Sequence, residues 1–237
     1  MKTNSSRKEN PAANSVISKT LRRGWWNDLA SGSVPVKKVL GFVVAALLFP
    51  SITFAADTYK VDPAHTSVTF SVRHLGINSV KGRFKEFDGA LVLDGDALKE
   101  ASGTIQVKSV DTGVEKRDDH LRTSDFFDAA KYPTITFKTK RVEKGGSGQP
   151  VLIADFTMRG VTKELRLPAK MSKPTKDPWG GVRVGLEAKT KLNRKDYGIN
   201  YHEVLETGAM AVGEEVELEI NAEAIKDTAS KSDSENK

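Results

Sequence analysis

The chain has 237 residues, 38% of them hydrophobic and 29% charged, which places it among ordinary globular proteins and not among fibrous or collagen-like ones. It contains no cysteine, so disulfides, thiolate metal sites and a cysteine nucleophile are excluded. The formal net charge of +6 belongs to the first 55 residues, where Lys2, Arg7, Lys8, Lys19, Arg22, Arg23, Lys37 and Lys38 stand against Glu9 and Asp28; the remainder carries 29 basic and 29 acidic residues and is neutral, which argues against a nucleic-acid partner.

Residues 1–55 read as a leader. Val39 to Phe49 is an uncharged apolar run preceded by Lys37 and Lys38 and followed by small residues, with Thr53 at −3 and Ala55 at −1 of a cleavage site after Ala55. The run is shorter than the ~20 residues that span a bilayer, so cleavage would leave no stable membrane span. Residues 1–33 are polar, contain Trp25-Trp26, and make an unusually long n-region. Two readings stand: an extended leader, or translation that begins near Val34. Arg22-Arg23 suggests a twin-arginine signal less well, because the apolar run begins far downstream.

From residue 56 to about 227 the dominant pattern is period two. Val68, Phe70 and Val72 alternate with polar residues, as do Ile105 and Val107, then Ile135 and Phe137, then Leu165, Leu167, Ala169 and Met171. Val182, Val184, Leu186 and Ala188 repeat it. Val216, Leu218, Ile220, Ala222 and Ala224 set it against Glu215, Glu217, Glu219, Asn221 and Glu223. Alternation of this kind predicts antiparallel strands with one dry and one wet face. Turn signals such as Asp94-Gly95, Gly145-Gly146-Ser147-Gly148 and Gly180-Gly181 separate the runs. About eight strands are expected, and closure into a barrel would remove exposed edges. Val114 to Tyr132 is the exception. It predicts one or two short helices over a barrel end, the second N-capped by Ser124 and ended by Pro133. Residues 228–237 are polar and predicted to be disordered.

Catalytic patterns are scarce. His65, His74, His120 and His202 have no helical zinc spacing, although His120 and His202 with carboxylates could meet in space. Asp118-Asp119-His120 reads first as a solvated helix face. No nucleophile elbow, phosphate loop or dinucleotide fingerprint is present.

Five stretches in order carry a resemblance: YKVDPAHTSVTFSVRHLGINSVKGRFKEFDGAL from Tyr59, HLRTSDFFDAAKYPTITFKT from His120, FTMRGVTKELRLP from Phe156, LNRKDYGI from Leu192 and VGEEVELEINAEA from Val212. Together they resemble the YceI-like polyisoprenoid-binding family over essentially the whole body. The resemblance implies an all-β fold, an extended lipocalin-like antiparallel barrel with a deep apolar tunnel, in a periplasmic or secreted homodimer. It implies a long isoprenoid lipid as ligand, such as an isoprenoid quinone or a polyprenyl phosphate, with no cofactor and no catalysis. Each buried methylene contributes roughly 0.8 kcal/mol, so one isoprene unit could contribute about 3–4 kcal/mol gross. An apolar lining with few polar contacts then suffices. The expected lining is Phe70, Val72, Phe84, Ile105, Val107, Phe126, Phe127, Ile135, Phe137 and Phe156. The expected head-group contacts are Arg73, His74, Arg117, His120, Arg194 and Tyr197. A metal-dependent periplasmic enzyme and a solid-core interaction module are the alternatives.

Overall fold

A computed structural model describes residues 56–208 and 210–228. The expected leader and the polar tail beyond residue 228 lie outside the described residues. The elements in chain order are β1 (Asp57–Val61), β2 (Ser67–His74), β3 (Asn78–Phe84), β4 (Phe87–Asp94), β5 (Ala97–Gln106), β6 (Val110–Asp111) and α1 (Glu115–Arg122). They continue with β7 (Thr134–Lys144), β8 (Pro150–Met158), β9 (Val161–Met171), β10 (Thr175–Lys176), β11 (Val182–Asn193) and β12 (Val212–Lys226).

The strands form one antiparallel meander that closes on itself. β1 and β2 are one run interrupted by a single-turn helix at Pro63–His65, and β3 and β4 are one run bent at residues 85–86; both pair along each other's length. The next neighbours are β5, β7, β8, β9 and β11, each beside its predecessor. β12 then pairs with β11 on one side and with β1 and β2 on the other. The ring thus has eight runs, as the alternation predicts, and β6 and β10 are short additions at its margins. Among the described residues no helix is long and apolar enough to cross a membrane.

Inward residues make two clusters. At the end that holds the β4–β5 and β7–β8 hairpins, Tyr59, Leu91, Leu93, Leu98, Leu152, Leu167, Val184 and Leu186 pack with Ala101, Ala169, Ala188 and Ala224. Small residues beside large ones let opposite walls interdigitate, so this end is solid. The other end holds Val68, Phe84, Val107, Val110, Phe126, Ile135, Phe156, Met158, Tyr197 and Leu218. Two of its connections are long: residues 107–133 between β5 and β7, and 194–211 between β11 and β12.

Two local expectations are corrected at this end. One helix forms, α1, and the segment led by Ser124 is a succession of turns. Asp128 takes φ +53°, which a right-handed helix cannot absorb, and its N–H donates to the Thr123 carbonyl at 2.8 Å. Asp118 is not on a solvated face: it is buried and accepts from the Thr112 N–H and Oγ1 at 2.8 and 2.5 Å.

A charged knot ties β1, β11 and β12 together. Arg183 donates from Nη1 to Asp62 at 3.0 Å and to Glu223 at 2.5 Å, and from Nε to Asp177 at 2.8 Å. His65 Nδ1 lies 2.8 Å from Asp62. The hydrogen bonds from His65 and Arg183 hold the Asp62 carboxyl down at about 2. A depressed carboxylate stabilises the fold above its unfolded value near 3.9 and loses that contribution as pH falls through its folded value. The stability gap between wild type and Asp62→Asn should therefore be widest above about pH 4 and close as pH falls towards 2, as read by thermal unfolding at each pH.

Candidate functional site

The loosely filled end contains a cavity of about 260 Å³. Its wall is mostly apolar. β2 contributes Phe70 and Val72, β3 Val80 and Phe84, β5 Ile105, β7 Ile135, and β8 Phe156 and Met158. β11 adds Leu192, and β12 adds Val212, Val216 and Leu218. These positions follow from parity: in a strand every second side chain faces inward. Residues 107–133 fold over the opening and lower Leu121, Phe126 and Phe127 onto it. The Arg159 Nη1 donates to the Phe126 carbonyl at 2.7 Å and fastens this cover to the β8–β9 turn. In that turn Arg159 and Gly160 both have positive φ, as a two-residue mirror-image hairpin turn requires.

Phe70 sits where it does because its strand partner is Gly82. A Cβ at position 82 would lie 2.3 Å from the Phe70 ring, so only glycine lets the ring lie flat against the wall. Phe70 then packs on Phe84 at 5.6 Å, and Phe84 meets Phe127 edge-on at 5.8 Å.

Eight of the ten expected lining residues border the cavity: Phe70, Val72, Phe84, Ile105, Phe126, Phe127, Ile135 and Phe156. Val107 and Phe137 do not. β5 ends at Gln106, so Val107 leaves the alternation, enters a single-turn helix and is buried behind the wall. Phe137 faces inward but deeper, packed against both clusters. The residues that sequence reasoning missed are Val80, Leu121, Met158, Leu192, Ile199, Tyr201, Glu203, Ala211, Val212, Val216 and Leu218. Val216 and Leu218 carried the alternation signal; the loop residues Ile199 to Ala211 carried none.

Polar side chains gather at the mouth. Of the expected head-group residues, Arg73, His74, Arg117, His120 and Arg194 border the cavity. Tyr197 does not: it is buried against Phe156, ring centroids 5.6 Å apart, and burial pushes its hydroxyl up to about 12. His120 meets Phe126 and Tyr201 edge-on at 5.0 and 5.4 Å, those two rings lying 4.8 Å apart, and its Nε2 is 2.8 Å from Asp125. Tyr201 donates to Glu203 at 2.6 Å, and that bond, with burial, raises its hydroxyl. His120 and His202 do not share a metal-capable cluster. Among the described residues the three-ligand group is Asp62, His65 and Glu223, and the Arg183 guanidinium already bridges Asp62 and Glu223.

Arg194 differs from the other cations. It is 3% exposed, and its guanidinium donates to four backbone carbonyls: Gly213 at 2.9 Å, Ile199 at 2.6 Å, Tyr201 at 2.8 Å and Val212 at 3.1 Å. Burial lowers its affinity for the proton. It staples the 194–211 connection to the start of β12 and so shapes the mouth.

The family model described as YceI-like domain matches residues 59–224. The chain belongs to the YceI-like family. Protein YceI of Escherichia coli is 38% identical to it over 193 residues, 80% of this chain and 97% of that one. Among solved structures, the Campylobacter jejuni YceI protein is 30% identical with a TM-score of 0.57, covering 65% of this chain and 90% of that one. A polyisoprenoid binding domain from Saccharophagus degradans, implicated in plant cell wall breakdown, has the same fold at 16% identity and a TM-score of 0.54, covering 71% and 98%. The match to the YceI-like model spans every element from β1 to β12 and takes in the whole cavity wall.

Replacing Arg194 by Met would leave four carbonyls without their donor. Each unmade bond to a buried group costs about 1–3 kcal/mol, with partial recovery by water at the exposed end. Arg194→Met is expected to lose about 2–4 kcal/mol in urea unfolding, and Arg194→Lys most of that, because an ammonium cannot span the four acceptors.

Proposed function

We propose that this protein is an exported, non-catalytic carrier or store for a long isoprenoid lipid, with the chain in the barrel cavity and the polar end at the mouth. The observation that carries the reading is the cavity itself: an apolar chamber in a YceI-like barrel, lined by five phenylalanines and roofed by residues of the 107–133 connection. Membership of a YceI-like family and the polyisoprenoid-binding description of one structural neighbour support the ligand class.

The division of the wall suits such a ligand. Apolar side chains supply affinity in proportion to buried area, and the few polar groups at one end orient it. Arg73 and Arg117 suit a phosphate head, and His74 suits a quinone oxygen. A periplasmic or secreted location and a homodimer belong to the same reading, from the signal-like leader and the family resemblance respectively. The absence of cysteine agrees with an oxidising compartment.

Native mass spectrometry of the purified protein, followed by solvent extraction, tests the reading. An isoprenoid lipid at about one per chain is expected. Phe126→Ser with Phe127→Ser should lower bound lipid at least about tenfold with the barrel's circular dichroism retained, since two buried rings represent well over 1.4 kcal/mol. Protein that arrives empty and takes up no added isoprenoid quinone or polyprenyl phosphate would overturn it.

A further inference from the structure

Four large hydrophobic side chains are exposed among the described residues: Ile77 (79%), Val114 (48%), Val204 (48%) and Trp179 (83%). Trp179 lies in the β10–β11 turn at the solid end. The other three stand on three separate connections around the cavity mouth. Ile77 is in the β2–β3 hairpin, three residues past His74; Val114 precedes α1, three residues before Arg117; Val204 follows Glu203. The Leu75 N–H donates to the Ala211 carbonyl at 2.9 Å, which joins the hairpin tip to the Val204 loop as one rim.

The arginines differ in their partners. Arg83, Arg141, Arg166 and Arg183, along the wall and at the solid end, each pair with a carboxylate, as does Arg122 on α1. Arg73, Arg117 and Arg159 at the mouth hydrogen-bond only to Thr112 Oγ1 and backbone carbonyls, and form no ion pair among the described residues. Carboxylates are present too. Glu203 is engaged by Tyr201, and Glu115 and Glu206 are exposed, so the rim is mixed in charge.

Single aliphatic side chains interspersed with unpaired guanidinium groups are the composition of an interfacial anchor, not of a continuous groove for a protein. Guanidinium groups without carboxylate partners complement lipid phosphates. We propose that the mouth end of the barrel docks on an anionic phospholipid surface, with Ile77, Val114 and Val204 entering the head-group layer and Arg73, Arg117 and Arg159 meeting its phosphates. The purpose of this docking rests on the lipid-binding reading: an isoprenoid chain does not cross water freely, so its cavity must open against the membrane that holds it.

The chain lacks cysteine, so an environment-sensitive thiol label can be placed at one position. A label on Ile77→Cys should shift to the blue on vesicles of phosphatidylethanolamine and phosphatidylglycerol, and a label on Trp179→Cys should not. Binding should weaken as salt is raised. Ile77→Asp with Val204→Asp should lower vesicle affinity at least about tenfold, while uptake of isoprenoid delivered from detergent stays at the wild-type level. No shift at position 77, an equal shift at position 179, equal affinity for phosphatidylcholine vesicles, or wild-type binding by the double variant would each overturn the docking. Loss of detergent-delivered uptake in the double variant would overturn it as well, by placing these residues in the cavity instead. A wild-type protein that docks yet takes up isoprenoid from neither source would sink the lipid-binding reading and leave the docking standing.

Discussion

The barrel depends on the double pairing of its last strand. β12 is the longest strand at 15 residues, and it closes the ring by pairing with β11 on one side and with β1 and β2 on the other. Its inward row is Val216, Leu218, Ile220, Ala222 and Ala224, and its outward row is largely glutamate. The outward row meets lysines across the ladder, Lys189 with Glu217 and Lys191 with Glu215. A slip of one residue would turn every glutamate into the core, so the register is strongly specified. Without closure, β11 and β1 would each present an open edge, and the inward row would face water.

Closure constrains the two ends differently. At the solid end, hairpins are short and alanines across from leucines fill the section. At the other end, the chain leaves the barrel wall for 27 residues between β5 and β7, and those residues become the cover. The cavity exists because the phenylalanines of the wall and cover meet at ring-to-ring contacts around a space instead of interlocking through it. Gly82 illustrates how finely this is set: one absent side chain determines where Phe70 rests, and with it one side of the chamber.

Most of the architecture was legible from period two, because an antiparallel barrel wet on its outside writes its inward row directly into the sequence. β8 was the least visible strand. Val151, Leu152, Ile153 and Ala154 are all buried, although only alternate ones face inward. Ile153 lies between Arg141 and Arg166 of the flanking strands, whose aliphatic stems cover it. Its apolar run therefore carries no period. The cavity wall was legible where strands form it, and illegible where loops do. Val107 and Tyr197 show the limit: the one is expected in the lining and the other at the head group, and both sit where the chain has left the strand, so parity no longer says which way they face. Arg194 shows another. A cation in a matched motif suggests a ligand contact, and only the three-dimensional arrangement reveals four carbonyls waiting for it.

The split interior separates two properties that a uniformly packed barrel would bind together. The alanine–leucine cluster fills its end of the barrel, and none of its buried side chains borders the chamber. The cover is held by the buried side chains of Val107, Val110 and Phe126, by the pairing of β6 with β3, by backbone hydrogen bonds and by the Arg159 clasp. Substitutions in residues 107–133 can therefore reshape the chamber while leaving the alanine–leucine packing untouched.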